Sequence, residues 1–315
     1  MSEINKEALL KRALNTTNFA DSIHEDLSDL ITMVTPKDVP LFSRLARSTA
    51  TALTHEWTET VNTETFTNSA YADGSAPSAT TNTHNRKSNK VMSIGRRAQA
   101  TELLERTNTV GKRSAGLTAF EREVEEKMID VMRAIEYYIY NGDVVNTSPQ
   151  EMDGLLKWMT TANGCNVVAN GGGVLQQTKL DEALSAAFDG GGSPDMIIAN
   201  PIVAQRIANF TSDKVRFVPG GGPGGLGKQA FQYLSPFGYD LEVVPVRSSF
   251  LPTGNVLILD SSKISLAFLS NGIEMKELAV SNDSVADRLI KAYLTLEFRC
   301  APHHSKIQNV SAALA

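Results

Sequence analysis

The feature that most constrains this chain is a stretch unable to build a core of its own. Residues 62–89 are rich in Thr, Asn, Ser and Ala, carry Gly74 and Pro77, and lie between two strand-like runs. In the first run, Leu53, His55, Trp57, Glu59 and Val61 alternate with Thr54, Glu56, Thr58 and Thr60, which is the period of a strand. The second run spans Lys90 to Thr101. A connection longer than about 15 residues is seldom idle: it is functional, disordered, or ordered by a partner.

The clearest element comes next. Leu117, Phe120, Val124, Met128, Val131, Ile135 and Tyr138 recur every three or four residues. Thr118 and Glu121 form a T-x-x-E capping box, and Gly142 stands where a helix would stop. The spacing predicts one helix over 118–141, roughly 36 Å long at about 1.5 Å per residue. Its opposite face carries Glu123, Glu126, Lys127, Asp130 and Arg133. Upstream, Leu27, Leu30 and Ile31 give a helical stripe broken by Pro36 and Pro40, and the segment from Thr35 to Arg44 reads as a turn followed by a docked helix. Downstream, helices at 177–188 and from Pro201 to Phe210 are expected among strands at 196–199, 215–218, 241–246, 256–259, 264–269, 273–278 and 289–298. Glycine-rich loops fall at 171–173, 190–192 and 219–227. Helices and strands mix without a βαβ rhythm, so the fold class is α+β.

Bulk properties exclude several function classes. The 315 residues, 42% hydrophobic and 21% charged, can form a substantial core. A net charge of −5 does not favour a generic grip on duplex DNA. The N-terminus lacks the apolar region of a secretory signal, and no apolar run approaches the roughly 20 residues of a membrane span. Cys165 and Cys300 show no metal-ligand spacing and read as buried, reduced thiols.

The tempting chemistry is a nucleotide site. Gly222-Pro223-Gly224-Gly225-Leu226-Gly227-Lys228 fits G-x-x-x-x-G-K, and Val256–Asp260 resembles a Walker B strand. A P-loop needs Ser or Thr after the lysine to hold Mg²⁺, and Gln229 stands there instead. Pro236 and Gly238 leave too little room for the helix whose amides would hold phosphate. His303 and His304 are adjacent, so on a strand they would point to opposite faces, wrong for shared metal ligation. His55 beside Glu56 reads as packed or hydrogen-bonded, and Trp57 and Trp158 as core or interface anchors. The expectation is no catalytic constellation, no cofactor and no metal.

Charge is distributed unevenly. From Gly74 to Thr101 there is no Asp or Glu, yet Arg86, Lys87, Lys90, Arg96 and Arg97 all fall there. The first half of the predicted helix is acidic, with Glu121, Glu123, Glu125, Glu126 and Asp130. One reading pairs the bases within the hairpin, with Glu56, Glu59 and Glu64 on its other strand. The other lays them over the acidic helix of an adjacent subunit.

The order of parts resembles a known family. Thr35-Pro36, Asp38, Pro40 and Ser43-Arg44, then His55-Glu56-Trp57, then the polar hairpin, the lone long helix and Asp153-Gly154-Leu155-Leu156-Lys157-Trp158, are similar to tailed-bacteriophage major capsid proteins of the Hong Kong 97-like fold. Val39 and Leu41-Phe42 depart conservatively from that family's pattern, and the stretches 275–279 and 294–297 also look like it. The resemblance implies an N-terminal arm at 1–51, an extended β-hairpin loop at 52–113, a peripheral domain with a spine helix at 114–150 and 272–315, and an axial domain at 151–271. It implies pentamers and hexamers closing into an icosahedral head around packaged double-stranded DNA, with portal and scaffolding or decoration proteins as further partners. It places the product in the virion after assembly in the bacterial cytoplasm. The glycine loop containing Gly220, Gly221 and Gly222 would meet its copies around the capsomer axis, where a permissive backbone lets five or six copies adjust. The rival readings are an encapsulin-like compartment shell and a P-loop hydrolase.

Overall fold

The computed structural model describes residues 38–61, 70–76, 81–107, 118–210, 232–235, 237–279 and 284–311. The stripe at Leu27–Ile31, the strand expected at 215–218 and the glycine loop at 219–227, with Gly220, Gly221, Gly222 and Lys228, lie outside them.

Two sheets organise the chain. The first is four-stranded, in the order β1 (Ala46–Thr49), β10 (Ile264–Glu277), β11 (Ser284–Phe298), β4 (Met92–Thr101). β1 runs parallel to β10, and the remaining pairs are antiparallel. β10 and β11 form a hairpin of 14 and 15 residues, roughly 45 Å long at about 3.3 Å per residue. Alternate residues Ile290, Ala292, Leu294, Leu296 and Phe298 of β11 are buried in the larger of the two main cores. The long helix α2 (Ala119–Asn141), preceded by the short α1 (Glu102–Arg106), lies along β4 and β11.

Both halves of the α2 capping box form: Glu121 N donates to Thr118 Oγ1 at 3.2 Å, and Thr118 N donates to Glu121 Oε2 at 2.9 Å. Val124, Val131, Ile135 and Ile139 are buried, so the expected stripe is the observed core face, with Tyr138 only half-buried. The stop at Gly142 has a packing cause. A Cβ there would sit 2.3 Å from the Met152 carbonyl oxygen, and one on Gly154 would lie 2.8 Å from the Tyr138 and Tyr140 carbonyls. Only glycines let the end of α2 touch the start of α3 (Leu155–Trp158) this closely.

The second sheet has six strands: β5 (Asn166–Ala169), β12 (Ser305–Gln308), β9 (Val256–Leu259), β6 (Met196–Ala199), β8 (Asp240–Pro245), β7 (Gln232–Leu234). Every residue of Met196–Ala199 and Val256–Leu259 is buried. Ile198, Val244, Leu257 and Leu259 join the core shared with the first sheet. Ile197, Val243, Val256 and Ile258 face the other way, into a core with α4 (Gln177–Asp189) and α5 (Pro201–Phe210). Uninterrupted apolar strands are the pattern of a sheet covered on both faces.

Several expectations are corrected. The residues after Pro40 are not a helix. They make a turn over Pro40–Arg44 and pass directly into β1, because Ala46–Thr49 continues in extended form to pair with Ser265–Phe268. Residues 62–89 are not all connection, since β3 (Thr83–Lys90) is a strand paired with β2 (Thr54–Val61). Lys90–Thr101, expected as one run, is divided: Lys90 ends β3, and Met92–Thr101 pairs with β11. Ile264–Leu269 and Ile273–Leu278 belong to one strand, whose register shifts between Phe268 and Ile273. Ser305–Gln308, not expected as a strand, joins the six-stranded sheet between β5 and β9.

Candidate assembly interface

The polar hairpin stands on one built root. In the β2–β3 register, His55 faces Asn89, Trp57 faces Lys87 and Glu59 faces Asn85. Strand alternation puts these residues on one face. That face is anchored. The Trp57 ring lies 5.5 Å from Trp158, which stacks on Phe298 at 6.2 Å, and Phe298 packs on His304 at 4.5 Å. The H-E-W and D-G-L-L-K-W motifs, about a hundred residues apart, therefore meet ring to ring.

Polar contacts complete the root. The Asn89 amide nitrogen donates to the carbonyls of Asp153 (3.0 Å) and Leu296 (2.8 Å), and its oxygen accepts from Asp153 N at 2.9 Å. Glu59 Oε1 accepts from Cys300 N at 2.8 Å, at the corner where β11 leaves for β12 and Cys300 takes a left-handed φ of 52°. His55 Nε2 lies 3.5 Å from Glu297 Oε2. Burial pushes the Glu297 carboxyl up, but hydrogen bonds from Arg299 and Ser265 and the charges of Arg299 and His55 outweigh it and hold it below the usual range.

Beyond the root, the hairpin has little to lean on. Thr58, Thr60 and Val61 are exposed, as are Thr83–Arg86, and Leu53 at the base is 75% exposed. An isolated two-stranded ribbon is marginal in water. Deleting residues 64–86 removes the four β3 residues paired with Thr58–Val61 but spares Trp57 and Asn89. The subunit is expected to keep its unfolding free energy to within about 1 kcal/mol, because few core groups are lost, and to lose shell formation. Cooperative unfolding at much lower denaturant, compared by circular dichroism, would show the hairpin to be core.

The charged residues singled out in the sequence do not converge on one patch of the subunit. Arg86 pairs across the hairpin with Glu56 at 3.3 Å, Lys87 is half-buried, and Lys90 Nζ is 3.5 Å from Gln150 Oε1. Arg96 and Arg97 sit on β4. Arg97 grips the Asp287 carboxylate through Nε at 2.7 and 2.9 Å, and this hydrogen-bonded pairing holds the Asp287 carboxyl below its ordinary value. On α2, Glu121 serves the cap, and its hydrogen bonds with Thr118 lower its carboxyl from the ordinary value. Glu123 is 3.2 Å from Lys127, Glu126 is 4.0 Å from Arg122, and Glu125 is exposed.

Asn89 and Glu136 escaped the sequence reading. Asn89 becomes legible only once the β2–β3 register puts it opposite His55. The signal for Glu136 was its place one residue after Ile135, on the edge of the apolar stripe.

Nothing in the second sheet supports nucleotide chemistry. β9 runs antiparallel to both neighbours, so Asp260 is not at the carboxyl edge of a parallel sheet, where nucleotides bind. Its Oδ1 accepts instead from Ser262 N at 3.0 Å and Ser262 Oγ at 2.6 Å. His304 is fully buried and His303 half-exposed, and no metal-competent group of His, Cys, Asp or Glu occurs among the described residues. Cys165 and Cys300 are free, Cys165 buried and Cys300 only partly so. No helix among the described residues is long and apolar enough to cross a membrane.

A long helix over a long, largely antiparallel sheet, a ribbon standing off it and a second, helix-covered sheet make up a mixed α+β architecture of the Hong Kong 97-like class. The chain belongs to the SU10 major capsid protein family, whose model matches residues 12–311. A comparison with curated protein sequences finds no match. Among solved structures, it is similar to the capsid of Cyanophage A-1(L), with 12% identity, TM-score 0.67 and coverage of 94% of this chain and 99% of that one. It is also similar to the capsid of a native GTA particle, with 13% identity, TM-score 0.64 and coverage of 95% and 100%. The encapsulin of the holo-SrpI complex from Synechococcus elongatus PCC 7942 matches with 14% identity, TM-score 0.57 and coverage of 96% and 97%. The chain is thus a structural major capsid protein that forms the virion shell.

Proposed function

We propose that the chain assembles in the host bacterial cytoplasm into pentamers and hexamers, which close into an icosahedral head around phage double-stranded DNA. Portal and scaffolding or decoration proteins complete the particle, and no catalytic step is required of the subunit. The observation that carries this reading is the hairpin, rooted by Trp57 and Asn89 yet unsupported beyond them. In this reading residues 1–51 are the arm, 52–113 the extended loop, 114–150 with 272–315 the peripheral domain, and 151–271 the axial domain. Electron microscopy and sedimentation of the purified chain test the proposal. Closed, uniform particles are expected, and monomer alone under all salt and concentration conditions would defeat it.

The likeness to an encapsulin supports a second reading, a shell around protein cargo. Particles recovered from infected or induced cells separate the two: nuclease-protected DNA supports the head, and co-purifying enzyme without DNA the compartment.

The hairpin bases complete the proposal. Arg86, Lys87 and Lys90 lie over the acidic first half of α2 in a neighbour, where Glu123, Glu125 and Glu126 sit. Each exposed pair is worth only ~0–1 kcal/mol, but it repeats at every contact of a shell. Arg86→Glu with Lys87→Glu is expected to slow assembly, followed by light scattering, with subunit stability nearly unchanged despite the lost Arg86–Glu56 pair. A charge swap on α2 should partly restore the rate. A double variant that is less stable yet assembles normally would place the pairing inside the subunit.

A further inference from the structure

Glu136 sits in the C-terminal third of α2, inside the helix, with its side chain wholly buried. No ion pair among the described residues involves it. Its contacts are three donors: Leu41 N at 3.1 Å on Oε1, Phe42 N at 2.8 Å on Oε2, and Tyr140 Oη at 3.1 Å on Oε1. Two of the three come from the arm, one N–H to each carboxylate oxygen. A carboxylate on a mid-helix position normally turns to water, and burying one without donors is costly. The same holds in reverse: Leu41 and Phe42 are buried, and these are the bonds their amides make. Carboxylate and arm therefore satisfy each other. Burial pushes the Glu136 carboxyl above its ordinary value, against the opposing pull of the Phe42 and Leu41 amides.

The other side of the same segment reaches the second sheet. Arg44 Nη2 bonds Glu242 Oε1 on β8 at 2.6 Å, and Arg247 Nη2 bonds Asp38 Oδ2 at 2.9 Å just beyond β8. Leu41, Phe42 and Leu45 fill the core between these contacts. One eight-residue strap thus touches α2 at Glu136 and the second sheet and its edge on either side of that point. Of the motif residues described in this segment, Asp38 and Arg44 make these outward contacts, while Ser43 Oγ donates to the Pro40 carbonyl at 3.0 Å and tightens the turn itself.

We infer that Glu136 is a positioning residue that seats Asp38–Leu45 as a strap, and that the seated strap fixes the two sheets in the relative arrangement that closes into a uniform shell. The consequence for shells rests on the assembly proposed above; the seating itself does not.

Hydrogen exchange on the full-length unassembled chain separates the two. Glu136→Gln keeps the side-chain shape but sets an amide N–H₂ against a backbone N–H. It is expected to speed exchange of the Leu41 and Phe42 amides at least tenfold while the α2 amides of residues 128–135 stay protected. Electron microscopy of the same variant is expected to show several-fold fewer particles of uniform diameter. Unchanged exchange at Leu41 and Phe42, or opening of α2 along with them, overturns the seating. Faster exchange with wild-type yield and diameter overturns the positioning role. If Glu136→Gln does not fold, Arg44→Ala with Arg247→Ala decides, because both side chains reach solvent, at 36% and 52% exposure. That pair should leave Leu41 and Phe42 protected yet broaden the particle diameters, and an unchanged distribution overturns the inference. Failure of the wild type to assemble leaves the exchange result to judge the strap alone.

Discussion

Trp57→Ala is expected to lower the unfolding free energy by about 3–5 kcal/mol, the usual cost of emptying a buried indole site, and to stop shell formation. Trp57 is 7% exposed although it belongs to a ribbon that is otherwise mostly in water. Its ring touches Trp158, and through Trp158 and Phe298 the contact continues to His304 beside the second sheet. Truncation leaves a cavity at the junction of hairpin, α3 and β11 that rigid neighbours cannot fill. Trp57→Phe should cost much less: a ring remains, and only the long 3.4 Å contact of the indole N–H with Glu59 is lost. Urea unfolding of the subunit measures the first effect, and electron microscopy the second. An alanine variant within about 1 kcal/mol of wild type would mean that the hairpin root bears no load, and the assembly interface would have to be sought elsewhere.

How much of this was legible in the sequence depended on what held each element. α2 was legible almost to the residue, because its cap, its stripe and its terminating glycine are local signals carried by side chains that do what their type prefers. The buried strands at 196–199 and 256–259 were legible because they are apolar throughout. β3 was not: Thr83–Lys90 reads T-H-N-R-K-S-N-K and has no apolar alternation. It is a strand because β2 offers it a ladder, and that information is not local. β12, Ser-Lys-Ile-Gln, was missed for the same reason, as it is inserted between β5 and β9 by topology. The strands expected at 264–269 and 273–278 are one strand with an irregularity between them, where Gly272 takes φ +115°. At the hairpin root, Trp57 and Trp158 were recognisable as anchors, and they pack ring to ring. The basic stretch 86–97 was contiguous in sequence yet is divided between a free ribbon and a sheet. Arg97 spends its charge on Asp287, and only Arg86, Lys87 and Lys90 remain on the hairpin.

The second large effect concerns acid. His304 Nδ1 accepts from Asp260 N at 3.2 Å, and Nε2 lies 3.1 Å from the Arg299 carbonyl oxygen. One nitrogen must accept and the other donate, so the ring is neutral with its proton on Nε2. Burial, opposed by the Arg299 carbonyl and the Asp260 charge and aided by His303 and Lys263, lowers its pKa to about 4. In the unfolded chain it returns to about 6.5. Above that pH neither state holds the proton and the native contacts stand in full. As pH falls from about 6.5, the unfolded chain takes up a proton that the native ring refuses, so stability declines until the native ring also protonates near 4. The accumulated loss is about 3 kcal/mol. Carboxyls held low by partners, such as Asp287 and Glu297, act in the same direction but only below their own unfolded values, near 4. Glu136 and Asp153, both raised by burial, act in the opposite direction. His303, also lowered by burial, shares the window but is present in every variant compared. The difference between wild type and His304→Gln therefore isolates this ring, because glutamine can accept and donate at the same two places without titrating. Between pH 8 and pH 4 the unfolding free energy of wild type is expected to fall by about 3 kcal/mol more than that of His304→Gln. Parallel curves across that range would mean that His304 protonates freely in the native state, and that the corner between the two sheets is open to water.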